Sequence, residues 1–425
     1  MLKKIVNICL FMLVIICLSW STGKQEAGKM VFLRMYYPVG VAGPLAKLMD
    51  EMVDDYNASQ NEIYVESIFA GGYRNAMEKA QTAFLAGKPP EFAVLDAPTL
   101  LTLRDINAIV SLDSLIANEG GKSFVDEFLP AFMKIAQHEG KIWSIPWQRS
   151  TPVFYYNTEY FREAGLDATR APGTWTEMAG YAEKLKKAGD VTRWGLEFPI
   201  DFWLIKPMIL QAGGELDNQA GTRISLDTAQ AREAFSFLKE LAYQRQVMPA
   251  VRQWGEAVND FVTGVTAMLY NSTGALTYIR TSIEHDFDVG FLPAHKRQVV
   301  IEGGGNFFIF KTTERNQAAA WEVIKWMTRP ENTARWSLGS GYVPVKHAAF
   351  EVPEYKKYTN EVPRALVAYK QLTTVDIERN MMTHRVNEIV DLVDNTIEEI
   401  LGGADMNATL KRAQAEADKI LSKWQ

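Results

Sequence analysis

From Met30 onward, short apolar runs alternate with longer amphipathic stretches all the way to the C-terminus. Such alternation restricts the chain to α/β architectures in which helices cover mostly parallel sheets. The segment Gly72–Thr99 shows the unit clearly. Met77, Ala80 and Phe84 mark one face of a helix, Gly87 and Pro89-Pro90 end it, and Glu91–Leu95 reads as a strand that delivers Asp96 at its carboxyl end. In open α/β sheets ligands sit outside the carboxyl ends of strands, so Asp96 is placed for binding.

The same grammar continues downstream. Thr174 and Glu177 in TWTE form a capping box for a helix that buries Met178, Ala182 and Leu185, and Trp175 is assigned to anchoring that helix rather than to a ligand. A strand around Ala267–Tyr270 runs into Asn271-Ser272-Thr273-Gly274, a cap for the next helix. Gly303-Gly304-Gly305 precedes a strand, helices follow at Gln317–Met327 and Glu331–Leu338, and two more close the chain. With 425 residues, 47% of them apolar, the chain exceeds the size at which one core keeps growing, so two domains are expected. No linker stands between them, which a chain crossing between lobes more than once would explain.

Residues 1–21 carry Lys3 and Lys4, an apolar stretch from Ile5 to Leu18 and then small polar residues, the order of a secretory signal. The apolar stretch is shorter than the roughly 20 residues of a spanning helix. Both cysteines, Cys9 and Cys17, fall in it, so a chain cleaved after this segment has no cysteine chemistry. Cleavage near Ser19–Ser21 and lipid attachment at Cys17 are the two processing routes, and either leaves the protein exported.

Signatures of catalysis are missing where they would be legible. Gly120-Gly121-Lys122-Ser123 ends like a phosphate-binding loop, but Ile116 stands where its first glycine belongs. The five histidines, His138, His285, His295, His347 and His384, lack metal-ligand spacing, so neither a metal nor a cofactor is expected, and His384 reads as a partly buried helix residue. A net charge of −6 gives no footprint for nucleic acid. A pair of glycosidase carboxylates distant in sequence stays open. Export without a catalytic signature favours binding over enzymatic work.

Several stretches carry a resemblance: STPVFYYN at Ser150–Asn157, TWTEMAGYAEKLK at Thr174–Lys186, AMLYNSTG at Ala267–Gly274, GGGNFFIF at Gly303–Phe310, GYVP at Gly341–Pro344, and the region around Arg385. Together they resemble the solute-binding proteins of bacterial ABC importers, in the carbohydrate-binding family that includes the maltose binders, with the closer likeness to its glycerophosphate branch. The resemblance implies two α/β lobes joined by a multi-crossing hinge, with the ligand in the cleft. Lobe boundaries are expected at 30–145 plus 275–330 and at 146–274 plus 331–425, with crossings at Trp147–Pro152 and Asn271–Gly274. It also implies a monomer, delivery to a membrane permease, and capture of sn-glycerol-3-phosphate or a glycerophosphodiester. A neutral mono- or oligosaccharide is the alternative ligand, and a secreted carbohydrate-active enzyme or adhesion protein is a third reading.

Carried over by position, the family's ligand contacts fall on Tyr73, Tyr342, Ser150, Ser272, Gly304 and Arg385, and its glutamate on Asp96. A phosphate ester needs a forked cation and neutral donors, which Arg385, the two serines, the Gly304 N–H and the tyrosines would supply. Asp96 would accept from glycerol hydroxyls, and Trp203 would offer an apolar wall. Trp147 and Arg149 flank Ser150 as sources of specificity, and Trp147, Phe202 and Trp203 would line a cage for a choline cation. Each assignment has a structural rival: Arg385 as a solvated helix residue, the tyrosines as packed aromatics, Ser150 as a turn residue, Ser272 as a cap and Gly304 as turn geometry.

Overall fold

A computed structural model of the chain describes residues 30–41, 43–187 and 193–425; the segment 1–21 that reads as a secretory signal, with Cys9 and Cys17, lies outside them. The first lobe is built on strands β1 (Val31–Tyr37), β2 (Ile63–Phe69), β3 (Phe92–Asp96) and β4 (Ile145–Ser150). β1 pairs in parallel with β2 and with β3. The helix Tyr73–Leu85 buries Ala76, Met77 and Ala80, and Gly87 follows it with φ +74°, which glycine adopts without steric cost. Asp96 ends β3, as the pattern predicts.

The chain crosses at Thr151 into the second lobe, which contains β5 (Pro152–Asn157), β6 (Met268–Ser272), β7 (Phe287–Gly290) and β8 (Val299–Ile301). It returns through Glu302 into β9 (Gly303–Ile309), then leaves again near Val375 for β10 (Asp376–Glu378), which pairs with β8. The first sheet has the order β2-β1-β3-β9-β4 and the second the order β6-β5-β7. β9 is antiparallel to both neighbours because it enters its sheet from the hinge end, and the second sheet is antiparallel throughout. The parallel expectation therefore holds for β1, β2 and β3 and for the short β8–β10 pair.

Two large cores confirm a two-lobed chain but shift its boundaries. Leu33, Met35 and Phe92 share one core with Phe307, Trp336, Tyr342 and Val345, which draws 331–345 to the first lobe, whereas Ala365 and Val367 pack against the cluster of Val153 and Tyr155 in the second. Phe154 and Met178 share the other with Val299, Val300 and Ile397, so 275–301 belongs with the second. Sequence patterning misses this because β7 and the β8–β10 pair are too short to reveal their partners. The crossing at Trp147–Pro152 is present; Asn271–Gly274 instead stays in the second lobe and abuts the first, where a Cβ on Gly274 would come within 3.0 Å of the Tyr342 ring.

Glu302 links the three crossings. Its carboxylate pairs with the Arg149 guanidinium at the end of β4 and accepts a hydrogen bond from Asn380 N at 3.0 Å, just past β10. Arg149 also donates to Gly304 O at 2.9 Å and Asn306 Oδ1 at 3.2 Å, and both charged side chains are fully buried.

Candidate functional site

Between the lobes lies a cavity of about 260 Å³. Tyr73, Asp96, Ser150, Trp203, Ser272, Gly304 and Tyr342, seven of the eight residues singled out in the sequence, all line it. Their positions follow from local structure. Tyr73 opens the helix after β2, Asp96 ends β3, Ser150 ends β4, Ser272 ends β6 and Gly304 sits in β9.

Glycines let the aromatic walls pack closely. A Cβ on Gly40 would stand 2.5 Å from the Tyr73 ring, and one on Gly303 would stand 2.4 Å from the Trp203 indole. Tyr73 Oη donates to Gln148 Oε1 at 3.0 Å, and Gln148 Nε2 donates to Pro38 O at 3.3 Å, so the tyrosine is held from behind. Gly304 has φ +92°, and a Cβ there would fall 1.7 Å from Gln148 O; the close approach it permits is between β9 and β4.

Ser272 Oγ accepts from Gly274 N at 3.1 Å, so the cap expected at this position is real. Ser150 is 2% exposed and its Oγ has no hydrogen-bond partner among the described residues, which leaves a donor at the cavity wall. Burial pushes Asp96 up to about 8, and the Arg149 charge beneath works against that rise. Burial likewise raises Tyr342 to about 12, so both tyrosines stay neutral donors.

Arg385 is not brought to the cavity. It sits at the start of helix Val386–Leu401 with φ +53°, its side chain 49% exposed and its Nε donating to Glu388 Oε1 at 2.7 Å. The family's arginine was transferred to a position where this chain turns into a helix, and the side chain follows that surface. Trp147 does not line the cavity either: it is 1% exposed, against Phe307 and Trp336. His384 precedes the helix rather than lying in it, stacked on Trp424 with Nδ1 2.7 Å from Asp105. Trp175 is buried and donates from Nε1 to Gln211 Oε1 at 2.7 Å, the anchoring role expected of it.

Residues that sequence reasoning missed complete the second-lobe wall. Asp201 caps the helix Phe202–Gln211 by accepting from Trp203 N at 2.7 Å, and its other oxygen accepts from Trp254 Nε1 at 2.8 Å. Asp394 accepts from Phe202 N at 2.7 Å. Burial raises the pKa of both carboxyls, and the Asp201 charge raises that of Asp394 further. The cap motif Asp201-Phe202-Trp203 was a usable signal; Trp254 and Asp394 stand alone on helices with none. Arg74, at the cavity edge, pairs with Glu78 and with Asp391 across the cleft.

A larger cavity of about 910 Å³ is lined in part by Arg104, Lys134, Arg379 and His384. Its cations are already engaged, Arg104 with Glu139, Arg379 with Asp217 and Lys134 with Ile377 O, which argues against it as the anion site. Among the described residues no group of three His, Cys, Asp or Glu side chains could hold a metal, and no helix is long and apolar enough to cross a membrane.

The chain is similar to known proteins over nearly its full length. The sn-glycerol-3-phosphate-binding periplasmic protein UgpB of Yersinia pseudotuberculosis is 25% identical over 413 residues, 90% of this chain and 91% of that one. UgpB from Mycobacterium tuberculosis, solved in complex with glycerophosphocholine, matches with a TM-score of 0.82 at 23% identity, covering 94% of this chain and all of that one. The ABC substrate-binding protein Lmo0181 from Listeria monocytogenes, solved with cycloalternan, matches at 0.81 with 19% identity, covering 93% and 100%. These structural likenesses establish the two-lobed fold. Residues 51–363 match the family of bacterial extracellular solute-binding proteins, and with that match over most of its length the chain belongs to this family.

Proposed function

We propose that this chain is the solute-capturing component of a bacterial ABC importer, that it takes a glycerophosphodiester into the cleft, and that lobe closure presents the loaded form to the permease. The observation that carries this reading is the convergence of neutral donors on one wall, the free Ser150 hydroxyl, Ser272 and Tyr342, around Gly304, with the Tyr73 ring held beside them by Gln148. Asp96 stands beside them to accept from glycerol hydroxyls. The buried Arg149 guanidinium, just behind Gly304 and paired with Glu302, donates to the Gly304 carbonyl and so holds that backbone in place without touching the ligand. The relatives named for glycerol-3-phosphate and the neighbour solved with glycerophosphocholine support the same class.

A specific observation favours a second reading, a neutral saccharide. Asp96, Asp201 and Asp394 with Trp203 and Trp254 form a wall suited to hydroxyls and sugar faces, and Arg74, which lines the cavity, is already paired. Calorimetric titration with glycerophosphocholine, sn-glycerol-3-phosphate and maltose separates the two. Saturable binding of the diester and none of maltose is expected, and Arg385→Ala should leave the diester affinity within about twofold, as for an exposed ion pair. Binding of maltose alone would overturn the diester reading, and a tenfold or greater loss in Arg385→Ala would overturn the assignment of the anion to neutral donors.

A further inference from the structure

The cavity is chemically lopsided. On the first-lobe and hinge side stand hydroxyls, among them Ser150 Oγ, which has no hydrogen-bond partner among the described residues; the second-lobe side carries Phe202, Trp203 and Trp254 with the carboxyls of Asp201 and Asp394. Both indoles have their single donor engaged, Trp203 Nε1 on Glu302 O at 3.1 Å and Trp254 Nε1 on Asp201 Oδ2 at 2.8 Å. Each can therefore offer a ligand only ring surface. Their centroids lie 6.0 Å apart at 33°, and Gly303 and the Glu302 carbonyl pin the Trp203 ring.

Asp201 has both oxygens in hydrogen bonds, but only one oxygen of Asp394 is engaged, by Phe202 N. The other Asp394 oxygen has no hydrogen-bond partner among the described residues. An indole pair beside a carboxylate pair attracts cations twice over, through the ring quadrupoles and through charge. A ligand with two negative charges would meet three carboxyls here and, among the described residues, no unpaired cation; a zwitterion would meet complementary groups at both ends.

Resting on the diester reading above, we infer that this wall is a headgroup subsite: Asp394, with Asp201 and the Trp203–Trp254 indoles, selects a diester whose second alcohol carries an ammonium group. Because burial favours the neutral acids, the empty pair holds on to a proton, and an arriving cation favours its release. Asp394 is thus a specificity-determining residue.

The test compares glycerophosphocholine with glycerophosphoglycerol, which shares the phosphodiester but has an uncharged headgroup, in the wild type and in Asp394→Asn. The asparagine can still accept from Phe202 N, so the helix start is kept. The wild type should prefer the choline ester by about tenfold or more, and the variant's preference ratio should fall toward one. Equal affinity for both diesters in the wild type, or an unchanged ratio in a variant with native melting behaviour, would overturn the inference and leave the diester reading standing. Binding of neither diester would remove that reading and the inference with it.

Discussion

Glu302→Gln should destabilise the protein by about 3–5 kcal/mol, the usual cost of removing one charge from a fully buried pair. Both partners are inaccessible to water, so the Arg149 guanidinium would be left charged in a dry site. Arg149 Nε already lacks a partner, so little slack remains. The damage would not be local, because Glu302 also receives Asn380 N and its own carbonyl receives Trp203 Nε1. Urea unfolding of the ligand-free variant checks the number. A midpoint equal to wild type would mean that water reaches the pair, and the hinge account would fall. Replacing both partners by apolar residues, Arg149→Met with Glu302→Leu, should recover much of the loss, since the desolvation penalty is removed along with the attraction.

The second large effect is expected at Gly304. An alanine there would place its Cβ 1.7 Å from the Gln148 carbonyl oxygen and would have to hold φ near +92°. Backbone strain and overpacking together should cost about 2–5 kcal/mol. Because the clashing atom belongs to the main chain, no rotamer change relieves it. β4 and β9 must separate where Gln148 steadies Tyr73 and where Ser150 meets the cavity, so ligand affinity should fall with stability. Denaturation and titration of Gly304→Ala check both; a native midpoint with native affinity would show that Gly304 is ordinary turn geometry.

The sequence carried much of this architecture because local rules and tertiary needs agree along most of the chain. Glycine and proline after a helical face, then an apolar run, placed Asp96 at a strand end, and the hydroxyls of Thr174 and Ser272 do cap. What stayed hidden depends on contacts between residues distant in the chain. The lobe boundaries depend on β7 pairing with β5 and on β8 pairing with β10, two strands of three residues each. Arg149 looked like a specificity residue because it neighbours Ser150, but alternation along a strand sends adjacent side chains to opposite faces. One meets the cavity and the other lies beneath it against Glu302. Arg385 shows the opposite error: a position transferred along a resemblance in a stretch where a new helix begins one residue later.

The central claim is that the interlobe cavity takes a phosphodiester on neutral donors. A crystal structure of the protein with glycerophosphocholine tests it most directly. The account predicts the phosphate within hydrogen-bond reach of the Ser150 and Ser272 hydroxyls, the choline against Trp203 and Trp254, and Arg385 still paired with Glu388. A phosphate bound instead by Arg385, or among Arg104, Lys134 and Arg379 in the larger cavity, would contradict it.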